Sequence, residues 1–188
     1  MSKIVLGFIG DLGSGKGSVC KYLSEKYRFP SYRFSTMLRD ILQRIYLENS
    51  RENMQRLSTI MRKNFGQDIM SRVIANDVKN DSHEIVAVEG IRRPSDIVDI
   101  EKMPGFHLIY ITADPRLRWE RLVLRNENEG DDKKTYEQFL KDEEAEPEQL
   151  IKDLGAKAEY KITNNGTYDE FYKQIDEILI NIRHASKD

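Results

Sequence analysis

Glycines and one lysine near the N-terminus have the spacing of a loop that binds phosphate. The run reads Gly10-Asp11-Leu12-Gly13-Ser14-Gly15-Lys16. Glycine allows the backbone to curl so that several N–H groups point inward, and the lysine ammonium neutralises phosphate charge. Residues 3–9 form a short apolar run that predicts a buried strand, and apolar residues at helical spacing follow the loop. A helix that begins near Lys16 would add the positive end of its dipole, so the sequence predicts a site for nucleotide phosphates.

The first hydroxyl after Lys16 comes one residue later than in the common form of this loop, because Gly17 precedes Ser18. Residues 10–16 fulfil the Walker A pattern G-x-x-x-x-G-K, and the G-K-G-S run resembles the loop of adenylate kinase and related nucleoside monophosphate kinases. The resemblance implies that ATP is the phosphate donor and that its phosphates contact Gly10, Gly13, Ser14, Gly15, Lys16, Gly17 and Ser18. It also implies a Ser18 hydroxyl near the α-phosphate and Mg²⁺ held largely through water. The alternative is a glycine turn that only joins a strand to a helix.

A second strand ends in a carboxylate and is followed by two arginines. Residues 85–88 are apolar, Glu89 follows them, and Arg92 and Arg93 lie in the next turn. The segment resembles D-G-F-P-R of adenylate kinases, and in that alignment Arg93 takes the place of the motif's arginine. It also resembles D-x-R-F-P of deoxynucleoside monophosphate kinases, and in that alignment Arg92 takes the place of the arginine. Both alignments imply that Glu89 orients waters on Mg²⁺ and that an arginine binds the acceptor phosphate. The alternative is a charge cluster at the end of a strand.

Arg39 belongs to a segment, residues 34–39, that resembles S-T-G-D-M-L-R of adenylate kinases but lacks its Gly-Asp pair. The resemblance implies that Arg39 binds the phosphate of the acceptor. The missing pair leaves the preference for AMP open. A solvated arginine on a helix is the alternative.

Arginines recur on one face of a later helix, which begins after Asp114, a predicted N-cap. They are Arg118, Arg121 and Arg125. The polar loop that follows has the position of a nucleoside monophosphate kinase lid, which we place at about residues 125–134. We predict that Arg121 and Arg125 close over the transferring phosphoryl group. The alternative is that these arginines lie along the protein surface with their charged ends in water, and it applies most to Arg118.

Asn164, Asn165 and Gly166 follow the last predicted strand. Kinases of this group place a loop beside adenine there, so the resemblance implies a contact between Asn165 and the base. A plain turn is the alternative, because asparagine and glycine tolerate positive φ.

The order of elements predicts one α/β domain over residues 1–188. Four strands can be located, at residues 3–9, 85–88, 106–111 and 160–163, and residues 136–154 read as one helix. The resemblance implies the three-layer P-loop NTPase fold, with a parallel five-stranded sheet and helices on both faces. It also makes residues 34–80 a helical insertion that binds the acceptor.

The overall composition predicts which partners the chain lacks. The formal net charge is −2, so no global positive field exists for nucleic acid or an anionic membrane. No apolar stretch is long enough to span a bilayer, and one cysteine allows no intrachain disulfide. We therefore expect a cytoplasmic protein, a monomer or homodimer, whose partners are small molecules.

These observations lead to one functional prediction. The chain is expected to be an ATP-dependent phosphotransferase that acts on a nucleoside or deoxynucleoside monophosphate. The alternatives are a dephospho-coenzyme A kinase, another small-molecule kinase, or an assembly ATPase that hydrolyses ATP with a partner.

Overall fold

A computed structural model describes residues 3–125, 131–144 and 146–185. Its centre is one five-stranded sheet in the order β2-β3-β1-β4-β5, and every neighbouring pair of strands is parallel. The strands are β1 (Ile4–Gly10), β2 (Ser31–Arg33), β3 (Ile85–Glu89), β4 (Phe106–Thr112) and β5 (Tyr160–Thr163). All carboxyl ends therefore lie at the same edge of the sheet.

Helices connect the strands and cover both faces of the sheet. They are α1 (Lys16–Tyr27), α2 (Phe34–Arg44), α3 (Arg51–Phe65), α4 (Ile69–Asn80), α5 (Pro115–Arg125), α6 (Tyr136–Glu143), α7 (Glu146–Ala156) and α8 (Tyr168–Ala185). Alternate residues of β1 face two cores: one holds Leu6 with α1 and α8, the other Val5 with α2, α4 and α7. The predicted fold class is confirmed.

Two elements differ from the sequence-based expectation. The edge strand β2 was not located, because it has only three residues and none of them is buried. The helix predicted over residues 136–154 is two helices, α6 and α7. A proline in the interior of a helix removes a hydrogen bond and kinks or breaks the helix, so the proline at position 147 disfavours one continuous helix.

One of the two predicted appendages can be placed on this scaffold. Helices α2 to α4 lie between β2 and β3, where the acceptor-binding insertion was expected. The predicted lid at about residues 125–134 falls mostly outside the described residues, since 126–130 belong to none of the three described ranges. Within those ranges, no helix has both the length and the apolarity to cross a membrane.

Candidate functional site

The bend between β1 and α1, residues 11–15, packs against helix α5 and the turn after β5. Gly13 and Gly15 have φ values of 76° and 107°, which L-residues rarely adopt. A Cβ atom on Gly13 would lie 2.5 Å from the backbone oxygen of Arg118, and one on Gly15 would lie 2.5 Å from Nδ2 of Asn164. Glycine is therefore required at both positions, and α5 and the turn after β5 support the bend.

Buried hydrogen bonds fix the same bend, and sequence reasoning did not find them. The Asp11 carboxylate accepts from the Tyr110 hydroxyl at 2.9 Å and from Thr112 Oγ1 at 2.7 Å. Nδ2 of Asn164 donates to the backbone oxygen of Ser14 at 2.9 Å. Burial and the Asp11 charge raise the pKa of Tyr110 to about 12, so its hydroxyl remains a donor at neutral pH. Side chains from β4 and from the end of β5 thus hold the bend in one shape.

Lys16 is the first residue of α1, and its ammonium turns back into the bend. Nζ donates to the backbone oxygens of Gly10 at 2.6 Å and Asp11 at 2.8 Å. The first N–H groups of a helix have no partner within the helix, so the start of α1 is the kind of place where an anion binds. A Cβ atom on the exposed Gly17 would touch nothing within 4 Å, so the space beside the first turn is open.

Ser14 in the bend and Ser18 on the helix that follows it each carry a hydroxyl. Ser18 is half-buried on the first turn of α1. Ser14 Oγ is buried and has no hydrogen-bond partner among the described residues. The hydroxyl of Ser14 is therefore a polar group that the packing of the bend does not explain.

Glu89 ends β3 and lies beside both neighbouring strands, in register with Phe8 of β1 and Arg33 of β2. It is 7 % exposed. Nε and Nη2 of Arg33 both donate to its Oε1, at 2.8 and 2.5 Å, so Oε2 is left unengaged by the guanidinium. Sequence analysis predicted Glu89 but missed Arg33, because the pairing of β2 with β3 cannot be read from either segment.

The residues that could hold Mg²⁺ suit a metal bound mainly through water and substrate. No group of three or more His, Cys, Asp or Glu side chains with metal-binding geometry occurs in the described part of the chain. Magnesium in kinases usually keeps several waters and uses one or two carboxylates together with substrate phosphates. One carboxylate, Glu89, and one hydroxyl, Ser18, at the same sheet edge fit this pattern.

The arginines predicted for the acceptor also lie at this edge. Arg92 and Arg93 are exposed in the turn after β3, so both alignments remain compatible with the structure. Their backbone N–H groups donate to Oδ2 of Asp96 at 2.9 and 3.0 Å, and Arg62 of α3 holds Oδ1 at 2.6 Å. A buried ion pair thus links the insertion to the turn that carries these arginines. Arg39 is half-buried and donates to Ser35 Oγ at 3.1 Å, which directs it toward the N-terminus of α2 at the same edge.

The three arginines of α5 have different environments. Arg118 is 3 % exposed and contacts Glu143, so its interpretation as a surface arginine is wrong. Arg121 is half-buried, and its enclosed Nη1 has no hydrogen-bond partner among the described residues. Arg125 is exposed at the end of α5, next to the predicted lid. Closure of Arg121 and Arg125 over a phosphoryl group stays a prediction.

Asn165 joins the turn after β5 to the start of α5. Its Oδ1 accepts from the backbone N–H of Asp114 at 2.7 Å, while Asp114 itself accepts from the N–H of Arg116 at 2.8 Å, as an N-cap does. The contact between Asn165 and adenine stays a prediction. Asn164, to which sequence analysis assigned no contact of its own, is the asparagine that contacts the bend.

Comparison with known proteins agrees with this architecture. The profile of the AAA_17 family, described as AAA domain, matches residues 9–140, which include the glycine bend, Glu89 and α5. The chain belongs to the AAA_17 family. This family member is 30 % identical over 178 residues to a UPF0200 protein of Sulfurisphaera tokodaii, covering 93 % of this chain and 95 % of the relative. A UPF0200 protein of Hyperthermus butylicus is 27 % identical over 177 residues, covering 94 % of each chain.

Solved structures with low sequence identity share the fold. Shikimate kinase from Bacteroides thetaiotaomicron superposes with a TM-score of 0.64 at 11 % identity, covering 96 % of this chain and 98 % of that one. TT1252 from Thermus thermophilus gives a TM-score of 0.62 at 14 % identity, with the same coverage of 96 % and 98 %. This AAA_17 member therefore has the fold of the P-loop kinases.

Proposed function

We propose that the chain is an ATP- and magnesium-dependent phosphotransferase that transfers the γ-phosphoryl group to a nucleoside or deoxynucleoside monophosphate. One observation carries this proposal. The glycine bend and the exposed arginines Arg92 and Arg93 follow the carboxyl ends of adjacent strands, β1 and β3, with Glu89 between them. Donor and acceptor phosphates bound to these groups would meet beside one carboxylate.

The donor side needs groups that hold a triphosphate. The amides of the bend and of the first turn of α1 would bind its oxygens, and Lys16 would leave its backbone partners to neutralise the β- and γ-phosphates. Magnesium, when bound, neutralises charge on those phosphates and orients them for transfer. Glu89 and Ser18 are the residues that would hold it, through water.

The proposed acceptor site is lined by positively charged arginines, although the chain as a whole is nearly neutral. Guanidinium groups bind phosphate oxygens in pairs, so Arg39 with Arg92 or Arg93 suits an acceptor that carries its own phosphate. The buried pair of Arg62 with Asp96 fixes the backbone that presents Arg92 and Arg93. The local charge therefore favours a phosphate-bearing acceptor over a neutral one.

Transfer itself requires positioning and charge neutralisation more than covalent chemistry by the protein. Arg121, with an enclosed N–H group that lacks a partner in the described structure, and Arg125 would donate to the oxygens of the transferring group. A lid over the site would exclude water, which otherwise competes with the acceptor.

A panel of acceptors tests the proposal. ADP release is measured with ATP and Mg²⁺ alone, then with each ribo- and deoxyribonucleoside monophosphate, and with dephospho-coenzyme A. We expect the monophosphates to raise ADP release well above the level without acceptor and to appear as diphosphates. If dephospho-coenzyme A is the one acceptor of the panel that raises ADP release, the chain is a dephospho-coenzyme A kinase instead. If ATP is hydrolysed at a rate that no small acceptor changes, an assembly ATPase is favoured.

A further inference from the structure

A cluster of buried charges joins the end of α6 to the glycine bend. Arg118, Glu143 and Asp11 are all less than 9 % exposed. The guanidinium of Arg118 faces both carboxylate oxygens of Glu143, with Nη2 to Oε2 at 3.0 Å and Nη1 on Oε1. The same group donates from Nε to the backbone oxygen of Ala113 at 2.9 Å and from Nη1 to that of Leu12 at 3.3 Å. One side chain therefore contacts both α6 and the bend.

The groups around Arg118 stabilise its cationic form. Burial alone disfavours the cation, but the hydrogen bonds and charge of Glu143, followed by the charge of Asp11, outweigh it and raise the pKa of Arg118. Nε of Arg118 lies 4.0 Å from Oδ2 of Asp11. Without the Glu143 charge, the guanidinium would be drawn toward Asp11 and would compete with the hydroxyls of Tyr110 and Thr112 that hold the bend.

The main chain of Arg118 supports the bend as well. Its backbone oxygen occupies the space that a side chain on Gly13 would need. A shift of α5 would therefore move the bend through the Arg118 backbone as well as through its side chain.

We infer that Glu143 is a positioning residue for the phosphate loop and acts through Arg118. Arg118 lies near the start of α5 and Glu143 is the last residue of α6, so this ion pair ties the start of one helix and the end of the other to the loop. Glu143 itself touches no substrate. The inference rests on the proposed function in one respect, namely that the ligand of the loop is a nucleoside triphosphate.

The test uses the full chain with Glu143→Gln, and Glu144→Gln as a matched control, because Glu144 is the exposed neighbour. We expect Glu143→Gln to weaken the binding of a non-hydrolysable ATP analogue with Mg²⁺ roughly ten- to hundredfold, the usual range of coupling between linked sites. Binding of the acceptor monophosphate alone should not change. Hydrogen exchange of the amides of residues 11–15 should become faster in Glu143→Gln and stay unchanged in Glu144→Gln.

A second variant separates positioning from folding. In Arg118→Met with Glu143→Met, both charges are replaced by apolar side chains, a change that buried ion pairs often tolerate without loss of stability. We expect this double variant to unfold at a similar temperature to the unmodified chain but to bind the ATP analogue more weakly, because the contact with Leu12 is gone.

The outcomes distinguish the two proposals. Unchanged analogue affinity and unchanged loop exchange in Glu143→Gln or in the double variant would overturn the role of Glu143. If the unmodified chain binds no nucleoside triphosphate, the proposed function fails, whereas faster loop exchange in Glu143→Gln would still support the positioning role.

Discussion

Lys16 has the most direct predicted contact with the transferring phosphates. Replacing it with alanine removes one positive charge from a part-buried bend while the glycines and the Asp11 anchors remain. We expect Lys16→Ala to lower kcat by at least about a hundredfold, the usual effect of removing one stabilising donor. The melting temperature should remain near that of the unmodified chain.

Lys21→Ala is the matched control for this prediction. Lys21 lies on the same helix and its side chain is 75 % exposed, with a weak pair to Glu25. Turnover in Lys21→Ala should equal that of the unmodified chain. Full activity in Lys16→Ala would contradict the catalytic role of Lys16.

Glu89 is the carboxylate expected to hold Mg²⁺ through water. Glutamine has nearly the same shape but no charge, so Glu89→Gln should raise the Mg²⁺ concentration needed for half-maximal turnover roughly ten- to hundredfold, as the loss of an indirect metal contact does. A magnesium titration of ADP release measures this shift. Glu84 is an exposed carboxylate just before the first residue of β3, so Glu84→Gln should leave the titration unchanged. Equal titration curves for Glu89→Gln and Glu84→Gln would show that Glu89 does not hold the metal.

Residues beside a strong local pattern could be predicted from sequence, whereas their partners on other strands could not. Lys16 and Glu89 are placed by the apolar runs beside them and by the shared edge of a parallel sheet. Arg33 and Asp11 act through hydrogen bonds to other strands. Those contacts depend on strand order and register, which no local pattern encodes.

At the scale of elements, the ion pair of Arg62 with Asp96 connects α3 to the turn after β3. Both side chains are less than 9 % exposed. Asp96→Asn leaves the Arg62 cation buried without a full counter-charge and weakens the bonds to two backbone amides. We expect a loss of about 3–5 kcal/mol in the free energy of unfolding, measured by urea denaturation.

Asp68→Asn provides the comparison for Asp96→Asn. Asp68 pairs with Arg72 over one helical turn at 3.4 Å, and both side chains are at least 42 % exposed. Exposed pairs contribute less than about 1 kcal/mol, so this variant should change stability little. Similar losses of unfolding free energy in Asp96→Asn and Asp68→Asn would show that the buried Arg62–Asp96 pair contributes no more to stability than an exposed pair.

The elements predicted best were those with strong local patterns. Strands β1, β3 and β4 are continuous apolar runs, and such runs indicate strands covered on both faces. Strand β2 has no such run, since it is a three-residue edge strand held by its pairing with β3. The break between α6 and α7 could have been read from the proline at position 147, but apolar periodicity on both sides favoured one helix.

At the scale of the whole molecule, a buried thiol with a raised pKa should lower the free energy of unfolding at alkaline pH. Burial, with the charge of Glu89 as the next cause, raises the pKa of the Cys20 thiol from 9.0 to about 12. The folded state therefore keeps this proton while the unfolded state releases it. The stabilisation is complete below about pH 9 and is lost as pH rises toward about 12, so the free energy of unfolding should fall across this window.

Urea unfolding at a series of pH values between about 8 and 10 measures this slope. Cys20→Ala removes the thiol, so its stability should fall less steeply with pH over that range, whatever its absolute stability. Tyr110, whose pKa is also raised, contributes above its ordinary value of 10.0 and would remain in the variant. Parallel slopes for the two chains would contradict the raised pKa of Cys20.

The two carbonyl contacts of Lys16 have a further meaning for ligand selection. The ammonium already satisfies the oxygens of Gly10 and Asp11, so an arriving anion exchanges one set of partners for another instead of neutralising a vacant charge. If the bend binds phosphates as proposed, affinity reflects the difference between two hydrogen-bonded arrangements, and a ligand with dense negative charge would gain most from the exchange. The resting shape of the bend would then disfavour weakly charged competitors.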